Sequence, residues 1–167
     1  MTRAFFLLLI LRLPLISSAQ HAIIAWAYGP FGVPGDAAFV VEDNRIYSAC
    51  GAYGSRGPCV YVIEDDQVYH SADAFGRRGA CAFTLDGDML IRTQGLSCTR
   101  ASCALLMEKN KVFRADGPFC NKQEGAFLLE DNVVFLAEGP FASKSDAVLI
   151  IHGEVPQIAL LTILAGL

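Results

Sequence analysis

The sequence has no basic cluster larger than Arg77-Arg78, no CxxC pair, and no charge-free apolar run of membrane-spanning length. Each of these absences excludes a class of function. Nucleic acid and anionic membrane surfaces both call for a basic footprint, whereas this chain carries 17 acidic against 13 basic residues, a net charge of −4. A nucleic-acid partner is therefore not expected. Structural zinc sites draw on closely spaced Cys and His, and His70 and His152 stand far in sequence from any cysteine pair. No metal and no cofactor are expected. The apolar stretch from Ala4 to Ile16 is interrupted by Arg12 and Pro14, short of the ~20 residues a transmembrane helix takes, so no integral span is expected in the mature chain.

That first stretch has a different reading. Arg3 supplies a basic start, an apolar segment follows, and Ser17-Ser18-Ala19 places small residues where a signal peptidase cleaves. Residues 1–19 read as a secretory signal peptide, which leaves a β-repeat domain over 20–157 and a hydrophobic tail over 158–167. The expected localisation is secreted: extracellular, or periplasmic in a bacterium.

The chain is organised by a 22-residue period without insertions. Cys59, Cys81 and Cys103 recur at that spacing, as do Glu42, Glu64, Asp86, Glu108 and Glu130. Slippage-free repetition signifies one supersecondary unit copied and stacked. Each unit is a short β-rich run, a polar pair, and a second β-rich run. The pairs Asp43-Asn44, Asp65-Asp66, Gly87-Asp88, Lys109-Asn110 and Asp131-Asn132 are residue types that tolerate positive φ in a two-residue hairpin turn. The expected fold class is all-β, six hairpin repeats with no helical element.

Four consecutive apolar columns, as in Val60-Tyr61-Val62-Ile63, predict a first strand buried on both faces, with the second strand an outer one having a wet face. Ile23 to Gly29 falls in register with a second strand that lacks its first, and Ala147 to Ile151 is a first strand that lacks its second. Pairing the two would close a ring and remove both edges. A closed, small propeller- or trefoil-like assembly is therefore expected, with an open hairpin solenoid as the alternative.

Six cysteines in a secreted chain point to disulfides. Cys81 with Cys98 and Cys103 with Cys120 are the same pair one unit apart, whereas Ala37/Gly54 and Gly125/Ala142 lose both members together. Cys59 faces Gly76 in this scheme, which leaves Cys50 as its expected partner.

Between hairpins, Gly29-Pro30-Phe31-Gly32 and its equivalents supply turn chemistry. The aromatic column Phe31, Tyr53, Phe75, Phe119 and Phe141 is expected to pack as plugs under these loops. The acidic turn tips read as turn chemistry more than as calcium ligands. Trp26, Tyr28 and Tyr53 carry polar tips near loops and are the candidate ligand-binding residues for a lectin-like function.

The chain is thus expected to be a secreted, disulfide-stabilised, non-enzymatic binding or structural module, with an extracellular protein or a glycan as partner. A carbohydrate-binding module is the alternative. A hydrolase using His70, Ser71 and Asp73, or a copper enzyme using an amino-terminal His21 with His70 or His152, is more remote. The tail is expected to be a capping strand or buried segment, with the hydrophobic end of a GPI signal as its alternative.

Overall fold

Chain reversals are set locally. Asp43, Asn44, Asp65, Gly87, Lys109 and Asp131 take left-handed φ values between 48° and 60°, as a two-residue connection between twisted strands requires. The computed structural model describes residues 21–167, so the expected signal peptide lies outside the described residues. The turns join twelve strands, β1 (His21–Tyr28), β2 (Val33–Glu42), β3 (Arg45–Cys50), β4 (Ser55–Glu64), β5 (Gln67–Ser71), β6 (Arg78–Asp86), β7 (Met89–Gln94), β8 (Thr99–Glu108), β9 (Lys111–Asp116), β10 (Asn121–Glu130), β11 (Val133–Glu138) and β12 (Ser143–His152). A helix, α1 (Gln157–Ala165), ends the chain.

Each strand pairs antiparallel with its chain neighbours, and β1 pairs with β12 from Ile23 opposite His152 to Trp26 opposite Leu149. The result is one closed up-and-down barrel. Closure through the terminal strands is as expected, but the blades of a propeller, the lobes of a trefoil and the open solenoid are all replaced by a single continuous wall. Tight turns lie at one end of it and the longer loops at the other.

The lumen is built from rings of equivalent residues. Ile24, Ile46, Val68, Leu90, Val112 and Val134, one per unit, are each completely buried. Phe39, Tyr61, Phe83, Leu105, Phe127 and Leu149 add a second ring to the same core. The second strands are therefore not outer strands, since every strand of a closed barrel turns one face to the axis. Beside the second ring, the register skips one residue in each unit, at Ala38, Val60, Ala82, Ala104, Ala126 and Val148. These bulges bend the wall into a cylinder.

Eight strands make a barrel about as wide as its own side chains can fill; twelve leave a space. α1 fills it, with every residue from Ile158 to Leu164 buried in the common core. Thr162, the one polar residue among them, donates its hydroxyl to the Ile158 carbonyl at 2.7 Å. Gln157 Nε2 bonds Asp88 Oδ1 in the β6–β7 turn at 3.2 Å, so the helix enters from the tight-turn end. The tail is thus a helix and not a capping strand. Surrounded by apolar wall, it has no polar face, and without one its 3.6-residue period leaves no trace in the sequence.

The outer wall carries charge. Arg56 pairs with Glu42, Arg78 with Glu64, Arg100 with Asp86, Lys122 with Glu108 and Lys144 with Glu130. Four of these cations also lie over the rings of Tyr47, Tyr69, Phe113 and Phe135, 3.7–4.7 Å from the centroids. Their stems shield aromatic surface that the wall would otherwise expose. An apolar lumen inside a charged wall is the reverse of a membrane-spanning barrel, whose outside is apolar and whose inside is polar. Among the described residues, no helix is long and apolar enough to cross a membrane.

Each long loop is fastened sideways to the preceding hairpin. The N–H groups of Ala37, Cys59, Cys81, Cys103, Gly125 and Ala147 donate to the carbonyls of Gly51, Ala74, Gly95, Gly117, Gly139 and Gly29. The last loop residue then folds onto the same strand. In two units this contact is covalent, through Cys81–Cys98 and Cys103–Cys120 with Cα separations of 5.2 and 5.0 Å. In another the loop's Ala142 sits so close that a Cβ on Gly125 would lie 2.5 Å from its Cα, and only glycine fits.

The expected Cys50–Cys59 bridge does not form; both are free. Cys50 lies opposite Ser55, and Cys59 is four residues further along β4, opposite Tyr47. At ~3.3 Å per residue that is well beyond the ~7 Å limit for a disulfide. A Cβ on Gly76 would instead stand 3.2 Å from Cys59 Sγ, so the repeat's own geometry survives where the cysteine pair does not.

Two outcomes follow. Leu161→Ala, at a fully buried position of α1, should lower unfolding stability by about 2–5 kcal/mol in denaturant titration, whereas Leu167→Ala, half exposed, should change it by less than about 0.5 kcal/mol. Iodoacetamide should alkylate exposed Cys50 in the native protein and spare Cys59, whose burial raises its thiol pKa. Mass spectrometry should find both modified in denaturant.

Candidate functional site at the barrel mouth

The long loops surround one mouth of the barrel, and their middles project from it. Phe31, Tyr53, Phe75, Leu96, Phe119 and Phe141 are 77–93% exposed, which overturns the expectation that the aromatic column plugs the space under the loops. The fastening explains why. With a carbonyl in the first half of each loop bonded to the neighbouring strand and a residue near the loop's end packed on it, the aromatic tips have nothing beneath them to bury against. Leu96 takes the place of an aromatic one position early, because Ser97 occupies the column.

Inside the mouth, the six-fold uniformity breaks. Two residues along from the fully buried ring, on the same face of each second strand, the equivalent positions hold Trp26, Ser48, His70, Arg92, Arg114 and Leu136. Trp26 and Ser48 are half-buried and the rest are exposed. Trp26 packs against the edge of the main core, and the His70 ring lies 5.3 Å from that of Tyr61, whose hydroxyl pKa is raised by burial.

Arg92 and Arg114 line a cavity of about 400 Å³ with Ala104, Leu105, Phe127, Asp116, Leu164 and Leu167. Arg92 Nη1 donates to the Cys103 carbonyl at 3.0 Å. Among the described residues neither guanidinium forms an ion pair, in contrast to the cations of the outer wall.

The candidate ligand-binding residues share this end at different depths. Tyr53 is at a loop tip, 93% exposed; Tyr28 is exposed at the end of β1; Trp26 lies two residues deeper in the mouth. The hydrolase residues do not assemble: the Ser71 hydroxyl donates to the Asp73 backbone carbonyl rather than to His70. Asp73 accepts the Arg77 and Phe75 backbone N–H groups, and these bonds, with the Arg77 charge, hold its carboxyl below the usual range. His21 and His152 lie at the tight-turn end, beside Glu42 and Ile23 respectively, and His70 at the other. Among the described residues, no three His, Cys, Asp or Glu side chains converge as metal ligands would.

Sequence reasoning missed two features of the site's surroundings. The basic column Arg56, Arg78, Arg100, Lys122 and Lys144 was present at the same period as the acids it pairs with. Arg92 and Arg114 are also one period apart, in the column that already holds Trp26 and His70. Comparison with known proteins gives no match to a family model, to a curated protein or to a solved structure.

Proposed function

We propose that the protein is a secreted, non-enzymatic binding module that docks on an apolar surface of an extracellular protein through the rim of loop tips. The observation that carries this reading is the rim itself. Six large apolar side chains are 77–93% exposed around one end of a wall that elsewhere covers its aromatics with cation stems. Apolar side chains gathered at one end of a domain mark an interaction surface, and aromatics are the residues that anchor interfaces. The two disulfides that fasten loops 95–98 and 117–120 hold part of the rim rigid, which reduces the ordering cost of binding. Disulfides also suit an oxidising, extracytoplasmic compartment.

A carbohydrate-binding role is the second reading. Tyr28 and Tyr53 present flat, solvated rings at the same end, and Trp26 would add a stacking surface for a sugar that enters the mouth.

Replacing Phe31, Phe75, Phe119 and Phe141 by Ser should leave the melting temperature within a few degrees of the parent and sharply reduce retention on a phenyl-substituted matrix. Retention equal to that of the parent would overturn the rim as the docking surface. On a glycan array, signal abolished by Tyr28→Ala with Tyr53→Ala, yet kept by the four-Phe variant, would favour the carbohydrate reading.

A further inference from the structure

We infer that the rim pairs with the rim of a second copy of this chain, so that the module is an end-to-end homodimer. The inference rests on the rim as docking surface and names its partner. The tips recur once per unit around one end of a closed wall, so neighbouring tips stand about two strand spacings, roughly 10 Å, apart. Bare backbone lies between them. A Cβ on Gly29, Gly51, Gly95 or Gly139, beside the tips Phe31, Tyr53, Leu96 and Phe141, would meet nothing within 4 Å. Knobs and low ground thus alternate on one surface at one spacing, and the counterpart with that spacing is the rim itself. A two-fold contact seats the tips of each copy between those of the other and makes every contact twice.

Charge favours the same end. Loops 29–32, 51–54, 95–98, 117–120 and 139–142 contain no charged residue, and in loop 72–77 Asp73 and Arg77 pair with each other at 3.3 Å. Behind the tips, Arg92 and Arg114 are balanced by Asp116 and Glu138 at the ends of β9 and β11. Two rims therefore meet without net repulsion. The two-residue turns at the other end hold Asp43, Asp65, Asp66, Asp88 and Asp131, with Lys109 as their one cation, and like charges keep two such ends apart. Tips without free charge also lack the groups that steer and select a foreign charged surface, which leaves shape to set the partner.

The area is sufficient. Aromatic side chains bury upwards of about 150 Å² each, so six tips at 77–93% exposure offer roughly 900 Å² per copy. Two rims in contact bury roughly 1,800 Å² in all, within the ~1,200–2,000 Å² of a stable interface. The resulting dimer presents its acidic turns at both outer ends.

The test is sedimentation equilibrium of the full chain from about 1 to 100 µM. Interfaces of this size bind at micromolar affinity or better, so the parent should pass from monomer to dimer within or below that range. The variant with Phe31, Phe75, Phe119 and Phe141 replaced by Ser should weaken dimerisation by at least about 100-fold, with its melting checked as above. D65N/D66N, at the opposite end, should dimerise as the parent does. Between about 50 and 500 mM salt the dimer constant should change by less than about threefold. A dimer that survives the four-Phe replacement, a loss in D65N/D66N, or a steep rise of affinity with salt would each place the contact elsewhere and overturn the inference. A parent that stays monomeric at about 100 µM would also overturn it. If phenyl-matrix retention, measured on the monomer, is still lost in the four-Phe variant, the rim reading stands and its partner is foreign. Flotation of that monomer with neutral phosphatidylcholine vesicles would make the partner a bilayer. Unchanged retention overturns the rim reading itself, so the two failures are separately visible.

Discussion

The burial of α1 is the contact on which the rest of the structure depends. A twelve-stranded wall encloses more space than its inward side chains can fill, and without an occupant the rings of Ile, Val, Leu and Phe would line a cavity. The helix, in turn, has no stable existence outside the barrel: nine residues are too few for an isolated helix in water, and its surface is apolar on every side. Each element supplies the other's missing partner. The bulges that curve the wall, the turns that reverse it and the pairing of β1 with β12 all serve to hold a cylinder around that segment.

Around this core, the two sides of the wall follow different chemistry. Inward positions below the mouth are repeated apolar residues. Outward positions use aromatics covered by the stems of Arg and Lys, whose charged ends reach the acids of the preceding hairpin. Exposed ion pairs contribute little individually, about 0–1 kcal/mol. Their importance here lies more in the shielding of aromatic surface, which lets a wall with few purely polar outward positions remain compatible with water. The rim tips lack such cover and stand out as exposed apolar surface.

How much of this was legible in sequence differed by element. The two-residue turns were readable because Asp43-Asn44 and Asp131-Asn132 carry their conformational preference locally. Closure was readable because Ile23–Gly29 and Ala147–Ile151 are complementary halves of one unit. The Cys81–Cys98 and Cys103–Cys120 pairs were readable because repetition turned a combinatorial problem into a column comparison. The Cys50–Cys59 pairing failed because elimination ignored distance along β4. α1 was hidden because a helix apolar on all sides displays no period. The exposure of Phe31 and its equivalents was hidden because a regular aromatic column gives the same pattern in sequence whether the rings point into a core or away from it. Arg92 and Arg114 became meaningful only once the fold placed their column, with Trp26 and His70, around a single opening.

The seam between β1 and β12 has a consequence for how the molecule is made. The strands that close the wall are separated by almost the entire described chain, and the segment that fills the wall follows even later. A nascent chain emerging from the ribosome therefore holds β1 as a free edge until β12 has been synthesised, and its apolar inward face has no occupant until α1 arrives. Such high contact order slows folding, and exposed edges in a slow-folding β-sheet invite pairing with other chains. A barrel whose core segment follows all twelve wall strands can seal only after every strand has been made, and until then the open seam, more than any loop, is the surface exposed to a wrong partner.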